Sequence, residues 1–320
     1  MLRHHTSVIC TITLLLACLM WLPSCSNEAT NPSPAATPIT PTARATSTPT
    51  ATPTTNPTSD TTPRHFTAHT ILHGGARPDD LVLDTQSHLL FSDFYNGTIS
   101  RVNPDKTATV LLRGIAGPEG MIVLANGTMI IAEQRTNRIL SLAPGSSTPT
   151  VLRQLPGMPS GAHCKDGVDG IGFDSTTNTV IVPDSPTGDV YRMSLDGKTL
   201  TLLASGIPRP VGAAVDNHGT IYVADECGGA LWRITSAGKT TRIGGFGMLD
   251  DVAIDPHGNL LLTDLEPSIH ALIRMNPETG KRETLASQGF IEPQGLVVDA
   301  NDNIYVSDDY ANIIVEYKPA

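Results

Sequence analysis

A pattern that recurs six times along residues 66–320 constrains the fold of this chain more than any other feature of the sequence. Each copy has a short apolar segment that usually ends in Asp, then a polar turn, then a second apolar segment that ends in an acid. These closing acids are Asp93, Glu133, Asp184, Asp225, Asp264 and Asp308. They follow one another after 40, 51, 41, 39 and 44 residues, which is about the length of one propeller blade.

The turns inside the repeats indicate β-hairpins. Asn126-Gly127 and His218-Gly219 are dipeptides that favour tight turns between antiparallel strands. A third and a fourth strand-like segment follow each pair, for example at residues 231–234 and 282–286. Six units of four strands predict an all-β fold, a six-bladed β-propeller that covers residues 66–320.

The two ends of the repeat region predict how the ring closes. The last repeat stops after its third strand, at residues 313–317, and an additional strand at residues 66–72 precedes the first repeat. Pairing these two segments removes two open strand edges, which would otherwise favour aggregation. We therefore predict that the N-terminal strand completes blade six.

Two segments precede the propeller. Residues 1–25 contain an apolar run that ends in Leu22-Pro23-Ser24-Cys25, which resembles a bacterial lipoprotein signal with Cys25 as the lipidated residue. Cys18 is a second possible lipidation site, and a secretory signal without lipid is the alternative. Residues 26–65 are mostly Thr, Pro, Ala and Ser, a composition that predicts a disordered stalk. The chain is thus expected to be exported and lipid-anchored to the outer side of the cell membrane.

The charge of the chain excludes one class of partner. The formal net charge is −10, and no run of Lys and Arg follows a phosphate backbone, so nucleic acid is not expected to bind. We expect a monomer that contacts the membrane only through its lipid anchor and binds a small molecule, or a surface glycan or peptide.

Segments 210–225 and 293–308 resemble the NHL repeat, whose core reads Pro-x-Gly-hydrophobic-Asp, Gly-Asn and Tyr-Val-Ala-Asp. The whole of residues 66–320 is similar to the gluconolactonase–regucalcin (senescence marker protein) superfamily of six-bladed propellers. The second resemblance implies a metal-assisted hydrolase of a small lactone or ester. The NHL resemblance implies a non-catalytic propeller that recognises a glycan, peptide or protein partner.

The repeat geometry places one residue of each blade at the mouth of the central channel, directly after the motif proline or its replacement. These residues are Asp79, Glu119, Asp169, Val211, Asp250 and Gln294. Four unpaired carboxylates that converge on one opening repel each other, which should raise the pKa of at least one of them, and a hard cation would relieve the repulsion. We predict a divalent-cation site, with Ca²⁺ as the first candidate, formed by the four acids with Gln294 as a neutral ligand.

The superfamily holds its metal with a Glu in blade one, an Asn in blade four and an Asp in blade five. The matching positions here are Asp79, Val211 and Asp250. Val211 has no ligand atom, so Asp169 or Glu119 would have to supply the missing oxygen. Two alternatives do without a metal: the acids cap nearby strand ends in hydrated turns, or they act as acid and base.

Residues outside the mouth positions lead to three further predictions. The closing acids recur in equivalent places, which indicates that they cap turns. His163 and His270 are expected to flank the mouth, and His270 is a candidate general base. If Cys25 is lipidated, Cys164 and Cys227 are the two thiols left in an exported chain, and they are predicted to form a disulfide on one face of adjacent blades. Two separate thiols are the alternative.

Overall fold

The computed structural model describes residues 65–320, and the fold predicted from the repeats is confirmed. This part of the chain forms 24 strands and one short 3₁₀ turn, Gln134–Thr136. The strands build six antiparallel four-stranded sheets, the six blades of a β-propeller. The predicted signal segment, the stalk and Cys25 lie outside the described residues. No helix in the described part is long and apolar enough to cross a membrane.

Each blade runs from an inner strand at the channel to an outer strand. Blade one comprises β2 (Leu81–Leu83), β3 (Leu89–Asp93), β4 (Thr98–Val102) and β5 (Ala108–Arg113). Blade two comprises β6 (Pro118–Val123), β7 (Met129–Glu133), β8 (Arg138–Leu142) and β9 (Thr150–Gln154). Blade three comprises β10 (Gly172–Asp174), β11 (Thr179–Asp184), β12 (Asp189–Ser194) and β13 (Leu200–Ala204).

The remaining blades continue the same order. Blade four comprises β14 (Pro210–Val215), β15 (Ile221–Asp225), β16 (Ala230–Ile234) and β17 (Thr240–Gly244). Blade five comprises β18 (Leu249–Ile254), β19 (Leu260–Asp264), β20 (Ala271–Met275) and β21 (Arg282–Ala286). Blade six comprises β22 (Pro293–Val298), β23 (Ile304–Asp308) and β24 (Ile313–Pro319), with β1 (Phe66–His73) as its outer strand.

The N-terminal strand closes the ring as predicted. β1 pairs with β24 from Phe66 opposite Pro319 to His73 opposite Ile313. Leu72 of β1 is 2% exposed and belongs to a buried cluster with Phe91 of blade one. The first strand of the chain therefore supports both blade six and its contact with blade one.

The core lies between neighbouring blades. All five residues of β19 are buried, so both faces of this strand are covered, and buried and exposed residues do not alternate along it. By contrast, β5 exposes five of its six residues, because no further strand covers the outer edge of a blade. The apolar clusters join residues of adjacent blades, for example Val211 of blade four with Leu249 of blade five.

The inner strands touch each other backbone to backbone around the channel. A Cβ atom added to Gly170 would lie 2.8 Å from the Cα of Gly212 in the next blade. At Gly295 it would lie 2.6 Å from the Cα of Asp80. Glycine is required at these positions because any side chain would push two blades apart.

A disulfide joins Cys164 to Cys227, the pair predicted from the sequence. It connects the long loop before β10 to the turn after β15, and thus links blades three and four. The two cysteines are 63 residues apart in sequence, so the bond constrains a long loop in the unfolded chain.

We expect the Cys164→Ser/Cys227→Ser double variant to be less stable by about 4 kcal/mol, because a loop of this length loses that much entropy when cross-linked. For a domain of this size, that lowers the Tm by about 10 °C. Differential scanning calorimetry with and without a reductant measures the effect, and the reductant should leave the double variant unchanged. Two free thiols in the unfolded, unreduced protein would contradict the bridge.

Candidate functional site

One end of the central channel opens into a cavity of about 310 Å³ to which all six blades contribute. It brings together all five residues predicted to bind a cation. The lining residues are Asp79, Phe94, Tyr95, Glu119, Gln134, Asp166, Asp169, Arg209, Glu226, Asp250, Leu265, Glu292, Gln294, Asp309 and Tyr310. The predicted mouth of the propeller is therefore a real concave site of small-molecule size.

The closing acids fix the loops that carry the cavity residues. Asp308 accepts hydrogen bonds from the backbone N–H groups of Ile291 (2.6 Å) and Glu292 (3.0 Å). Asp225 accepts one from the backbone N–H of Arg209 at 3.1 Å. All six closing acids are at most 3% exposed. Their predicted role as turn caps is confirmed, and they do not line the cavity.

A second group of lining residues was missed by the sequence analysis. Each follows a closing acid directly, and together they are Phe94, Gln134, Glu226, Leu265 and Asp309. The sixth member of this set, Ser185, is buried instead and donates a hydrogen bond to the carbonyl of Pro210 at 2.6 Å. These residues could have been predicted from the repeat, because the register that locates the closing acids also locates the residues that follow them.

In blade four, the residue at the predicted mouth position does not line the cavity. Val211 is fully buried in the apolar cluster between blades four and five. Arg209 and Glu226 line the cavity in its place and form an ion pair. Arg209 also lies 3.7 Å from a carboxylate oxygen of Asp166. Blade four thus supplies a cation and its partner where the superfamily pattern has a neutral ligand.

Burial and repulsion raise the pKa values of three cavity carboxyls well above their ordinary range. For Asp79 and for Asp250, burial is the larger cause and the charge of Asp169 is the next. For Glu119, burial is followed by the charge of Asp79. Because the charged forms are disfavoured, the site favours the uptake of protons or of a cation.

Asp169 differs because two neighbours compensate its charge. Nη2 of Arg209 lies 3.0 Å from its Oδ2, and Nε2 of Gln134 donates a hydrogen bond to the same oxygen at 3.1 Å. Burial raises the pKa of Asp169, and the guanidinium of Arg209 opposes the rise. The Asp169 carboxylate is therefore held in one orientation by fixed donors.

Glu119 presents a carboxylate oxygen without a partner. Its side chain is 4% exposed, and its Oε2 atom accepts no hydrogen bond from a donor group of the described part. The carboxyl groups of Glu119 and Asp79 lie close enough to share a proton, which raises the pKa of Glu119. An unsatisfied buried polar atom costs about 1–3 kcal/mol, more if it is charged. Since Asp79 and Asp250 line the same opening, this atom marks the place where a counter-charge would be stabilised most.

A second layer of carboxyls lies in the narrow part of the channel. Burial raises the pKa of Asp251 to about 7, although its Oδ2 accepts a hydrogen bond from the backbone N–H of Leu296 at 2.9 Å. Burial and the charge of Asp251 raise the pKa of Asp80 well above its ordinary range. The other four blades have Gly at this position, so the doubled acid is specific to blades one and five.

Neither of the two predicted histidines lines the cavity. His270 lies outside it, and its charge contributes only a minor lowering of the pKa of Glu292. Nε2 of His163 lies 4.0 Å from the Sγ atom of Cys227, beside the disulfide. His163 thus lies beside the disulfide, and His270 acts on the cavity only through its charge on Glu292, which does line it.

Solved structures share this architecture at low sequence identity. A catalytically inactive virginiamycin B lyase from Staphylococcus aureus, solved with quinupristin, is 18% identical, with a TM-score of 0.59 over 78% of this chain and 82% of that chain. A putative gluconolactonase is 14% identical, with a TM-score of 0.65 over 80% and 93%. The chain has the fold of these propellers. The nidogen–laminin complex also contains a match, 19% identical, with a TM-score of 0.58 over 69% and 85%.

These likenesses confirm the predicted fold resemblance and show the fold alone. No family model matches the chain, and no curated protein matches its sequence. The chemistry of the propeller must therefore be argued from the residues of its own cavity.

Proposed function

We propose that the propeller is a divalent-cation-dependent enzyme that opens a small lactone or ester in the mouth cavity. The observation that carries the proposal is the unpartnered, buried Oε2 of Glu119 in a cavity that it shares with Asp79 and Asp250. The name of one structural neighbour, a putative gluconolactonase, supports this class of reaction.

Asp79, Glu119 and Asp250 would hold the cation, with the side-chain oxygen of Gln294 as a neutral ligand. Oxygen donors from several chain segments are what Ca²⁺ prefers, because it takes six to eight such ligands. Asp169 is less suited as a ligand, because Arg209 and Gln134 already engage its Oδ2. The proposed set of metal ligands is therefore the set predicted from the sequence without Asp169.

Asp169 is instead placed to act as the general base. Its raised pKa makes it a stronger base than an ordinary carboxylate, and Arg209 fixes its direction. It would accept a proton from the water that attacks the carbonyl carbon. A bound cation would polarise the carbonyl oxygen of the substrate. Protonated Asp169 would then return this proton to the leaving alkoxide oxygen, which regenerates the base. The carboxylate and the alcohol, on one molecule in the case of a lactone, would leave through the open mouth.

The full-length protein should bind one Ca²⁺ per chain by isothermal titration calorimetry. Hydrolysis of a panel of γ- and δ-lactones and 4-nitrophenyl esters should disappear in chelator and return with Ca²⁺. Glu119→Gln and Asp250→Asn should each lower kcat/KM at least 100-fold, because each removes a charged ligand. Asp105→Asn, an exposed acid in the turn between β4 and β5, should leave activity unchanged.

Two outcomes would overturn this proposal. Hydrolysis that is unaffected by chelator would remove the cation from the reaction. Stoichiometric cation binding without turnover of any lactone or ester would favour the non-catalytic alternative, a propeller that presents the same mouth to a glycan, peptide or protein.

A further inference from the structure

The aromatic residues of the propeller are distributed unevenly. Within residues 65–320, only two aromatic side chains fall among the exposed large hydrophobic residues, Tyr95 at 45% and Tyr310 at 49%. Both line the mouth cavity, together with the half-buried Phe94. Single exposed apolar residues need no explanation, but a pair confined to the rim of a cavity marks a binding surface.

These rings form a continuous band across blades one and six, which we call the aromatic rim. The guanidinium of Arg77 lies 3.5 Å from the ring centre of Tyr95 and 5.0 Å from that of Tyr310. The ring of Phe94 meets that of Tyr95 edge to face, with 5.2 Å between their centres. An ion pair of 3.0 Å with Asp309 anchors Arg77, and the guanidinium of Arg135 lies 4.4 Å from the ring centre of Phe94.

The charged residues that line the cavity also influence which ligands it can bind. Eight acids line it, and Arg209 is the one lining base. The guanidinium of Arg209 is engaged by three of these acids, Asp166, Asp169 and Glu226. Since negative charge on Asp79, Glu119 and Asp250 is already disfavoured, an anionic ligand would add to the repulsion, whereas a cationic ligand would offset it and a neutral ligand would not change it.

We propose that the aromatic rim is the subsite for a planar ring of the substrate, and that the substrate is neutral or positively charged. This inference rests on the proposed function, because the ring would lie at the rim while the ester or lactone group reaches the carboxylates. Opening an ester releases a carboxylate, so the same acidic cavity that admits a neutral substrate repels one of its products. The charge of the site thus favours product release.

The subsite is tested with ligands that cannot be hydrolysed, in chelator, on the full-length protein. Phenyltrimethylammonium, benzyl alcohol and benzoate share one ring and differ in charge, and tetramethylammonium has the charge without the ring. NMR titration should rank their affinities in the order phenyltrimethylammonium, benzyl alcohol, benzoate. Tetramethylammonium should bind more weakly than its ring-bearing analogue.

Tyr95→Ala and Tyr310→Ala should each weaken phenyltrimethylammonium binding about 3- to 10-fold, the range expected for one aromatic contact. Tyr95→Phe and Tyr310→Phe retain the ring and should bind as the wild type does, which separates loss of stacking from loss of structure. Met158→Ala removes an 83% exposed apolar side chain away from the cavity and should have no effect.

Equal affinity for benzoate and phenyltrimethylammonium would overturn the charge preference, and unchanged binding in both alanine variants would overturn the rim. Either failure leaves the proposed hydrolysis untouched, because no divalent cation and no cleavage enter the titration. Conversely, ring binding with the expected order in a protein that hydrolyses nothing would sink the proposed reaction and keep the subsite.

Discussion

A chain that begins at Gly74, without β1, is expected to aggregate or to unfold at least 10 °C below a chain that begins at His65. Removing β1 leaves the edge of β24 unpaired from Ile313 to Pro319. It also deletes Leu72, which is 2% exposed. Loss of one such buried leucine alone costs about 2–5 kcal/mol. Thermal unfolding and light scattering of the two chains measure the difference.

A single substitution gives a second test of the same closure. Leu72→Ala keeps the pairing with β24 but leaves a void in the cluster that contains Phe91 and Ile314. We expect its Tm to fall by roughly 5–15 °C, less than in the truncated chain. Thr67→Ala, an exposed position on the same strand, is the matched control. Equal melting temperatures for the chains that begin at Gly74 and His65 would refute ring closure by β1.

Without divalent cations, the Tm of the propeller is expected to fall by at least about 5 °C between pH 5.5 and pH 8.5. An unfolded Asp ionises near its ordinary pKa of 3.8, whereas burial holds the pKa of Asp251 at about 7 in the folded state. Between these values the folded state keeps a proton that the unfolded state has lost, so raising the pH favours unfolding. This contribution is fully present below pH 3.8 and is lost as the pH rises through about 7. Of this range, the experiment spans the part from pH 5.5 to about 7, which corresponds to about 2 kcal/mol from Asp251, or about 5 °C here.

The loss of stability continues at higher pH, because the pKa values of Asp79, Glu119 and Asp250 also lie well above the ordinary range. In chelator at pH 8.5, Asp250→Asn should therefore melt several degrees above the wild type. Millimolar Ca²⁺ should raise the wild-type Tm at this pH and should have little effect on the variant. These two results together distinguish destabilisation by a missing counter-charge from destabilisation by a general loss of packing.

Asp196→Asn is the matched control for the pH experiment. Asp196 is an exposed acid whose pKa is lowered to about 2 by its hydrogen bonds with Ser194 and Lys198. Its substitution should not change the slope of Tm against pH between 5.5 and 8.5. A flat pH profile for the wild type, with Asp250→Asn melting at the same temperature, would contradict the electrostatic account of the cavity.

The repeat made most of the backbone predictable, because turn dipeptides and recurring acids report directly on strands and their register. It also located Asp79, Glu119 and Asp250, since equivalent positions of equivalent blades face the same channel. It could not locate the partner of each side chain. Arg209 pairs with Asp169, a residue 40 positions away in the neighbouring blade, and no local pattern encodes that contact.

Val211 shows another limit of prediction from the repeats. The alignment of the repeats gives it a mouth position, but its side chain has no polar atom and packs into the core between blades four and five. Backbone equivalence thus predicts where a residue sits and leaves its chemistry to the side chain. The aromatic rim was missed for a related reason, because Tyr95 and Tyr310 lie in the turns beyond the closing acids, where the repeats are least alike.

The backbone contacts around the channel bear on which ion the proposed cation site would select. With Gly170 against Gly212 and Gly295 against Asp80, the backbones of neighbouring blades are in direct contact beside the channel at these places. The spacing of carboxylates from different blades is then set by the ring rather than by the occupant. A small ion such as Mg²⁺, which demands near-octahedral ligands at about 2.0–2.1 Å, cannot draw them inward, whereas Ca²⁺ accepts irregular ligands at about 2.3–2.6 Å. Discrimination between the two ions would thus arise from the stiffness of the scaffold, with the same acids present in both cases.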